Sequence, residues 1–421
     1  MTRLRLLSLV VIGAGFGFAS LTPTVFGPSA AWAAGDAVRK EVGEPLQKAQ
    51  QAINQKNFKA AMGFIQKADE QKDKTPREIL LIEQMRGSAA QGAGDMPAAI
   101  KAFEAVVASG AVSGQEQAKM LYTIAGLYYT IKDYPKTLAT LARYTKEGGT
   151  DPAARALLED TYYASGDWAN TAKEVSDDVK ATEKAGKIPT EKQLTLLETC
   201  YLKLNDKTAT VAITEKLVTY YPKPDYWNSL LHTMLTKSGF ADRLQTDVGR
   251  LRLATATMTK AEDYTEFAQL ALADGLPGEA KTIMDKGTAA KLVGAGTGIE
   301  ADREKRLQAL ITKTIDEDQK ALPKAEADAT APSAKDGNAL VAVGFDYVGY
   351  GQFDKGIPLM EQGFQKGGLR HPEDVKLHIA YAYLQAGKKD KATTWFKQVQ
   401  GTDGTADLAR LWVLQMSAKT S

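Results

Sequence analysis

Apolar positions recur at helical spacing over most of residues 36–290 and 338–400, in paired segments joined by a short polar turn. The turn has a fixed order. A small or polar residue is followed by an acid or amide, then an aromatic or large apolar residue, with a small residue three places on. It occurs at Lys56-Asn57-Phe58 with Ala61, Gly94-Asp95-Met96 with Ala99, and Lys132-Asp133-Tyr134 with Thr137. It returns at Gly166-Asp167-Trp168 with Thr171 and at Asn205-Asp206-Lys207 with Thr210. The intervals from Asn57 through Asp206 are 38, 38, 34 and 39 residues. Later copies are Gly275-Leu276 with Ala280, Gly351-Gln352-Phe353 with Gly356, and Gly387-Lys388 with Ala392, and a weak one lies at Gly239-Phe240.

Each turn ends one helix and caps the next. The preceding helix carries small residues where two helices must approach closely: Gly87, Ala125, Gly344 and Ala380. Three positions later stand Tyr128, Tyr347 and Tyr383, with Tyr162 and Tyr201 in the corresponding places. The following helix sets a small residue one turn before a large one: Ala61 and Ile65, Ala99 and Phe103, Ala280 and Met284, Ala392 and Phe396. One such hairpin cannot bury its apolar face alone, so neighbours must stack.

The Gly-Asp-aromatic turn, the alanine after it and the aromatic four places beyond resemble the tetratricopeptide repeat. Gly94-Asp95-Met96-Pro97-Ala98-Ala99-Ile100 through Phe103 is the best match, and Tyr221-Pro222 resembles the proline that closes a repeat. The chain departs from the family in lacking the starting tryptophan, in displacing the closing proline to places such as Pro76 and Pro152, and in exceeding the usual period. The resemblance implies an all-α fold, a right-handed superhelix of seven to nine stacked antiparallel helix hairpins.

Two segments break the array. Ile299 to Leu322 reads as one charged helix with Leu307, Leu310, Ile311 and Ile315 on a face, after the glycine-rich Gly294–Gly298 joint. Pro323 to Gly337 shows no apolar period and reads as a mobile linker. Two further repeats follow, then a last helix, Ala406 to Ala418, whose Leu408, Leu411, Trp412 and Met416 can cap the stack. The expected organisation is a signal peptide over 1–33, a repeat array over 34–298, a charged helix and linker over 299–337, and C-terminal repeats with a capping helix over 338–421.

The N-terminal segment is an export signal by pattern. Arg3 and Arg5 precede the uncharged run Leu6–Phe18, and Ala31-Trp32-Ala33 fits a signal-peptidase site, placing cleavage after Ala33. The run is short for a membrane span, so the expectation is a soluble periplasmic protein with no insertion after cleavage. The whole chain has 53 Lys and Arg against 51 Asp and Glu. Removing Arg3 and Arg5 leaves 51 of each, which lacks the cationic surplus nucleic-acid binding needs. The single cysteine, Cys200, allows no internal disulfide and falls in the helical stretch Leu194–Leu204, where a packed thiol is expected.

Catalytic patterns are missing from the sequence. His232, His371 and His378 form no metal-type spacing. No Gly-x-Ser-x-Gly or phosphate-binding Gly-Lys-Ser/Thr loop occurs, and Ile299 stands where the Gly294–Gly298 run would need its dinucleotide glycine. Glu159-Asp160 and Asp177-Asp178 lie in polar helical stretches and read as solvated faces. The expectation is therefore a non-enzyme without metal or cofactor.

The aromatics carry the functional expectation. Tyr128, Tyr162, Tyr201, Tyr347 and Tyr383 take the packing position, and Tyr122, Tyr129, Tyr163, Phe345 and Tyr381 fall outside that register. In the family the first helix of each pair lines the concave groove, and the residue after the packing tyrosine faces it. Two readings stand for this second set: contact with a protein or peptide partner, or extra packing between repeats. The resemblance implies a periplasmic scaffold or adaptor for envelope assembly, secretion or an energy-transducing complex. The rivals are a small-ligand carrier within the superhelix and an accessory to a cell-wall enzyme.

Overall fold

The computed structural model describes residues 38–294 and 296–418. The signal segment of residues 1–33 therefore lies outside the described residues, as does Ala295 in the glycine-rich joint. All regular structure among the described residues is helical. The chain forms two compact units, the first ending at Thr171 and the second beginning at Ala172.

The first unit holds α1 (Lys40–Asn54), α2 (Phe58–Asp69), α3 (Pro76–Ala93), α4 (Met96–Ala108), α5 (Gly114–Thr130), α6 (Tyr134–Lys146) and α7 (Pro152–Ser165), and the boundary falls inside α8 (Trp168–Lys184). Consecutive helices pack as antiparallel pairs, and α3 touches α1 while α7 touches α5, so the hairpins stack. The turns follow the sequence closely. Lys56, Gly94, Lys132 and Gly166 sit at φ +57°, +83°, +62° and +74°, the left-handed conformation that stops a helix. The next residue caps the following helix: Asn57, Asp95, Asp133 and Asp167 accept the backbone N–H of Ala60, Ala98, Lys136 and Asn170 at 3.0–3.2 Å. Small residues then admit large ones. A Cβ on Gly87 of α3 would stand 2.3 Å from the Phe103 ring of α4, and Ala61, Ala99 and Ala125 have no exposed surface.

The second unit holds α9 (Glu191–Lys203), α10 (Lys207–Tyr220), α11 (Pro224–Leu235), α12 (Gln245–Ala254), α13 (Ala261–Ala273), α14 (Pro277–Ala289), α15 (Ile299–Thr330), α16 (Asn338–Gly349), α17 (Phe353–Lys366), α18 (Pro372–Gln385), α19 (Lys389–Phe396) and α20 (Thr405–Ser417). Asp206 caps α10 through the Ala209 N–H at 2.9 Å. The turns at Gly275, Gly351 and Gly387 keep the positive φ, but Leu276, Gln352 and Lys388 provide no side-chain cap. Eight hairpin turns therefore stand where the sequence places them. The weak copy at Gly239-Phe240 leads instead into a single turn of tight helix, Asp242–Leu244, ahead of α12.

One feature departs from expectation. The segment expected to be a mobile linker is helical as far as Thr330, so α15 runs for 32 residues with Pro323 inside. Proline removes one backbone hydrogen bond and crowds the preceding turn. Burial offsets that cost: Leu322 and Ala329, with Ala325 beside them, pack on Leu340, Val343 and Tyr347 of α16. Glu326 fastens the same stretch, accepting the Tyr347 hydroxyl at 2.6 Å and pairing with Lys355 at 2.6 Å.

The repeats after residue 338 belong to the second unit with the helices from α9 onward. The capping helix α20 packs on α10, α12, α18 and α19, closing the second unit on itself. Leu408, Leu411 and Trp412 enter one core with Trp227, Leu244, Leu251, Phe345, Leu377 and Phe396. Each such large apolar side chain contributes on the order of 1.5–3 kcal/mol by leaving water. Arg243 adds a polar seam to Asp374 at 2.7 Å and Asp403 at 2.5 Å.

Candidate partner-binding site

In the first unit α5 carries Tyr122, Tyr128 and Tyr129, and α7 carries Tyr162 and Tyr163. Tyr122 is half-buried, its ring 6.1 Å from Tyr144 and tilted 49° to it. Tyr144 is itself fixed, because its hydroxyl accepts the Asp151 backbone N–H at 2.6 Å. Tyr129 is half-buried with its ring 5.8 Å from Tyr134. Tyr163 is the most open of the three, 36% exposed, and meets Trp168 edge-on at 5.5 Å. Burial is the main cause that pushes the Tyr122 and Tyr129 hydroxyls above the ordinary tyrosine range. These rings are thus braced by neighbouring aromatics while keeping part of their surface in water.

The expected division between packing tyrosines and groove tyrosines is blurred in this unit. Tyr128 and Tyr162, in the packing register, are also only half-buried. Lys136 Nζ lies 5.4 Å from the Tyr128 ring, so a cation covers this tyrosine where an apolar neighbour was expected. In the second unit Tyr347 and Tyr383 are buried, and their hydroxyls donate to Glu326 and Glu361 at 2.6 Å, whereas Tyr201 of α9 is half-buried.

Phe345 and Tyr381 lie elsewhere than the groove expected for them. Phe345 is 7% exposed and Tyr381 is half-buried, and their rings flank the Arg250 guanidinium at 4.9 and 5.3 Å. Arg250, on α12, forms a forked pair with Glu279 of α14, Nε to Oε1 at 2.8 Å and Nη2 to Oε2 at 2.7 Å. Its Nη1 donates to Asp247 at 2.5 Å. Asp247 also meets His378 Nε2 of α18, at 3.1 and 3.2 Å from its two oxygens, and the His378 ring stacks on Phe345 with centroids 4.6 Å apart. A buried arginine needs such partners, since an unpaired charge there is strongly unfavourable. Burial alone would raise Asp247, but His378 and Arg250 hold it down at about 2. The second reading, packing between helices, accounts for Phe345 and Tyr381.

Sequence reasoning missed this cluster. Asp247 and Arg250 sit one turn apart on α12, but Glu279 and His378 are 29 and 131 positions from their partners. The available signal was an acid and a base inside the short, otherwise apolar segment Val248–Leu251 and its flank. Cys200 is buried, as expected, and burial pushes its thiol up to about 11. His371 precedes α18, and His232 lies on α11. Among the described residues no group of three or more His, Cys, Asp or Glu could hold a metal ion. No helix of the described residues is long and apolar enough to cross a membrane.

No protein-family model matches the sequence, and no curated protein matches it. Among solved structures, yeast Tom70 is 12% identical over 90% of this chain and 96% of its own, with a TM-score of 0.25. Naa15/Naa10 bound to HypK-THB gives 12% identity over 90% of this chain and 72% of that chain, with a TM-score of 0.28. Similarity at that level carries no inference about this chain. Its all-α architecture of stacked hairpins rests on its own turns, caps and packing.

Proposed function

We propose that the protein is an exported, non-enzymatic scaffold that holds a protein or peptide partner of the cell envelope against the tyrosines of its first unit. The observation that carries the reading is the set Tyr122, Tyr129 and Tyr163. Each is braced by a second aromatic and keeps part of its ring accessible. Rigid aromatics gain contact area at low entropic cost, and tyrosine is enriched at binding hot spots. The concave face of the hairpin array is where a partner chain would lie. Export rests on Arg3, Arg5, the Leu6–Phe18 run and Ala31-Trp32-Ala33.

Two experiments test this. A photo-crosslinking amino acid at position 163, in living cells, should trap one reproducible envelope polypeptide, whereas the same probe at exposed Lys59 of α2 should not. Equal trapping at both positions, or at neither, would sink the docking site. The mature protein should begin at or near Ala34, and N-terminal sequencing that returned Met1 from a membrane fraction would overturn the export reading.

A further inference from the structure

We propose that the contact between Asp318 of α15 and Asp346 of α16 is a proton-dependent clasp, which fastens the second half of α15 and loosens when the two carboxyl groups lose their shared proton. Asp346 is 8% exposed, on a helix whose other buried positions are apolar or aromatic. Its Oδ1 is enclosed with no hydrogen-bond partner. Asp318 faces it and accepts the Tyr350 hydroxyl at 2.6 Å. Two carboxyl groups bond to each other only when one of them carries a proton; with both ionised, they repel, and the enclosure of Asp346 limits how far water screens them.

Among the described residues, no cation relieves the pair. Helices α14, α15, α17 and α18 pack on α16, and from α12 Arg250 lies against Phe345 but is held by Asp247 and Glu279. From α14 comes Glu279, which is held by Arg250. From α17 come Lys355, held by Glu326 and the Tyr347 hydroxyl, and Glu361, which accepts from Tyr383. From α18 comes His378, which bonds to Asp247. From α15, Glu326 is engaged by Tyr347 and Lys355, leaving Asp318 as the group that acts on Asp346.

The direction of the effect follows. Burial first, then the Asp318 charge and the bond between the carboxyls, push Asp346 up to about 7. Tyr350 is raised as well, by burial and by both aspartates. A carboxyl group raised in the folded state is bound to its proton more tightly there than in the unfolded chain. Its stabilising contribution is complete below the unfolded value of about 4 and is lost as pH climbs through 7.

The loosening has a natural boundary. The first half of α15 is anchored separately, through Leu307 and Ile311, in the core shared with Phe267, Ile283 and Met284. The second half depends on Leu322, Ala329, Glu326 and the aspartate pair, and Pro323 has already cost it a backbone hydrogen bond.

Hydrogen exchange on the full chain between pH 5.5 and 8.5, corrected for the intrinsic rate, tests the clasp. Amides over 319–330 should lose up to about tenfold protection per pH unit as pH rises toward 7, the limit for one linked proton, and level off above it, while those over 299–311 keep theirs. In Asp346→Asn, whose amide can donate to Asp318 at any pH, the loss should vanish. The same loss in both proteins, or none in the wild type, would overturn the proposal. Should Asp346→Asn fail to fold, carboxyl carbon NMR of the wild type decides. One aspartate titrating between pH 6 and 8 supports the clasp, and all aspartates titrating below pH 5 refutes it.

Discussion

Asp95 accepts the Ala98 N–H at 3.0 Å, and four residues further on Ala99 is wholly enclosed where two hairpin helices meet. The first interaction satisfies an amide that the helix cannot pair internally, and the second sets how closely the helices approach. Asp95→Ala should therefore lose about 0.5–2 kcal/mol in a urea melt, and Ala99→Trp about 1–3 kcal/mol through overpacking. A wild-type melt for Ala99→Trp would show that the repeat register is wrong. Interactions of this kind are legible in the sequence because donor, acceptor and turn lie within a few residues. Arg250 shows the opposite case. Its burial, its carboxylate partners and the aromatic rings beside it come from α12, α14, α16 and α18, and no local pattern announces them.

Among the elements, the hairpins were legible wherever a left-handed residue is followed by an Asx cap, as at Lys132-Asp133. Where the cap is missing, as at Lys388, Gly387 and the small residue Ala392 preserve the signal. Lys388 is exposed and holds the N-cap position of α19, with φ −90° and ψ 65°, close to the −84° and 79° of Asp95. Lys388→Asp should thus add a cap to the Lys391 N–H and raise stability by about 0.5–1 kcal/mol. The exposed Lys388–Asp354 pair it removes is worth little. A lowered melting midpoint would contradict the assignment of this turn. The second half of α15 was not legible as helix, because Pro323 and the alanine-rich composition of 321–331 mask the spacing Leu322, Ala325, Ala329. Those side chains mark a helix only once α16 is there to receive them, an instance of tertiary packing overriding local propensity.

For the whole molecule, the sequence shows where the hairpins turn and bounds their number at seven to nine, but not how the chain divides. Periodicity is read between neighbours, whereas the closing of α20 onto α10 and α12 depends on contacts between distant segments, such as Lys237 with Asp407 at 2.8 Å. The candidate site follows the same rule. Tyr122, Tyr129 and Tyr163 could be picked from register, but that Phe345 and Tyr381 flank Arg250, a residue outside the repeat pattern, could not.

The central claim is that the braced tyrosines bind a partner, and one comparison tests it most directly. Tyr129→Ala combined with Tyr163→Ala should weaken partner capture from an envelope extract roughly thirtyfold, the loss expected for hot-spot truncations of about 2 kcal/mol, with a thermal melt close to wild type. Unchanged capture by a normally melting double variant would contradict the claim. So would a lowered melt with normal capture by the surviving folded protein, because that result assigns these rings to packing alone.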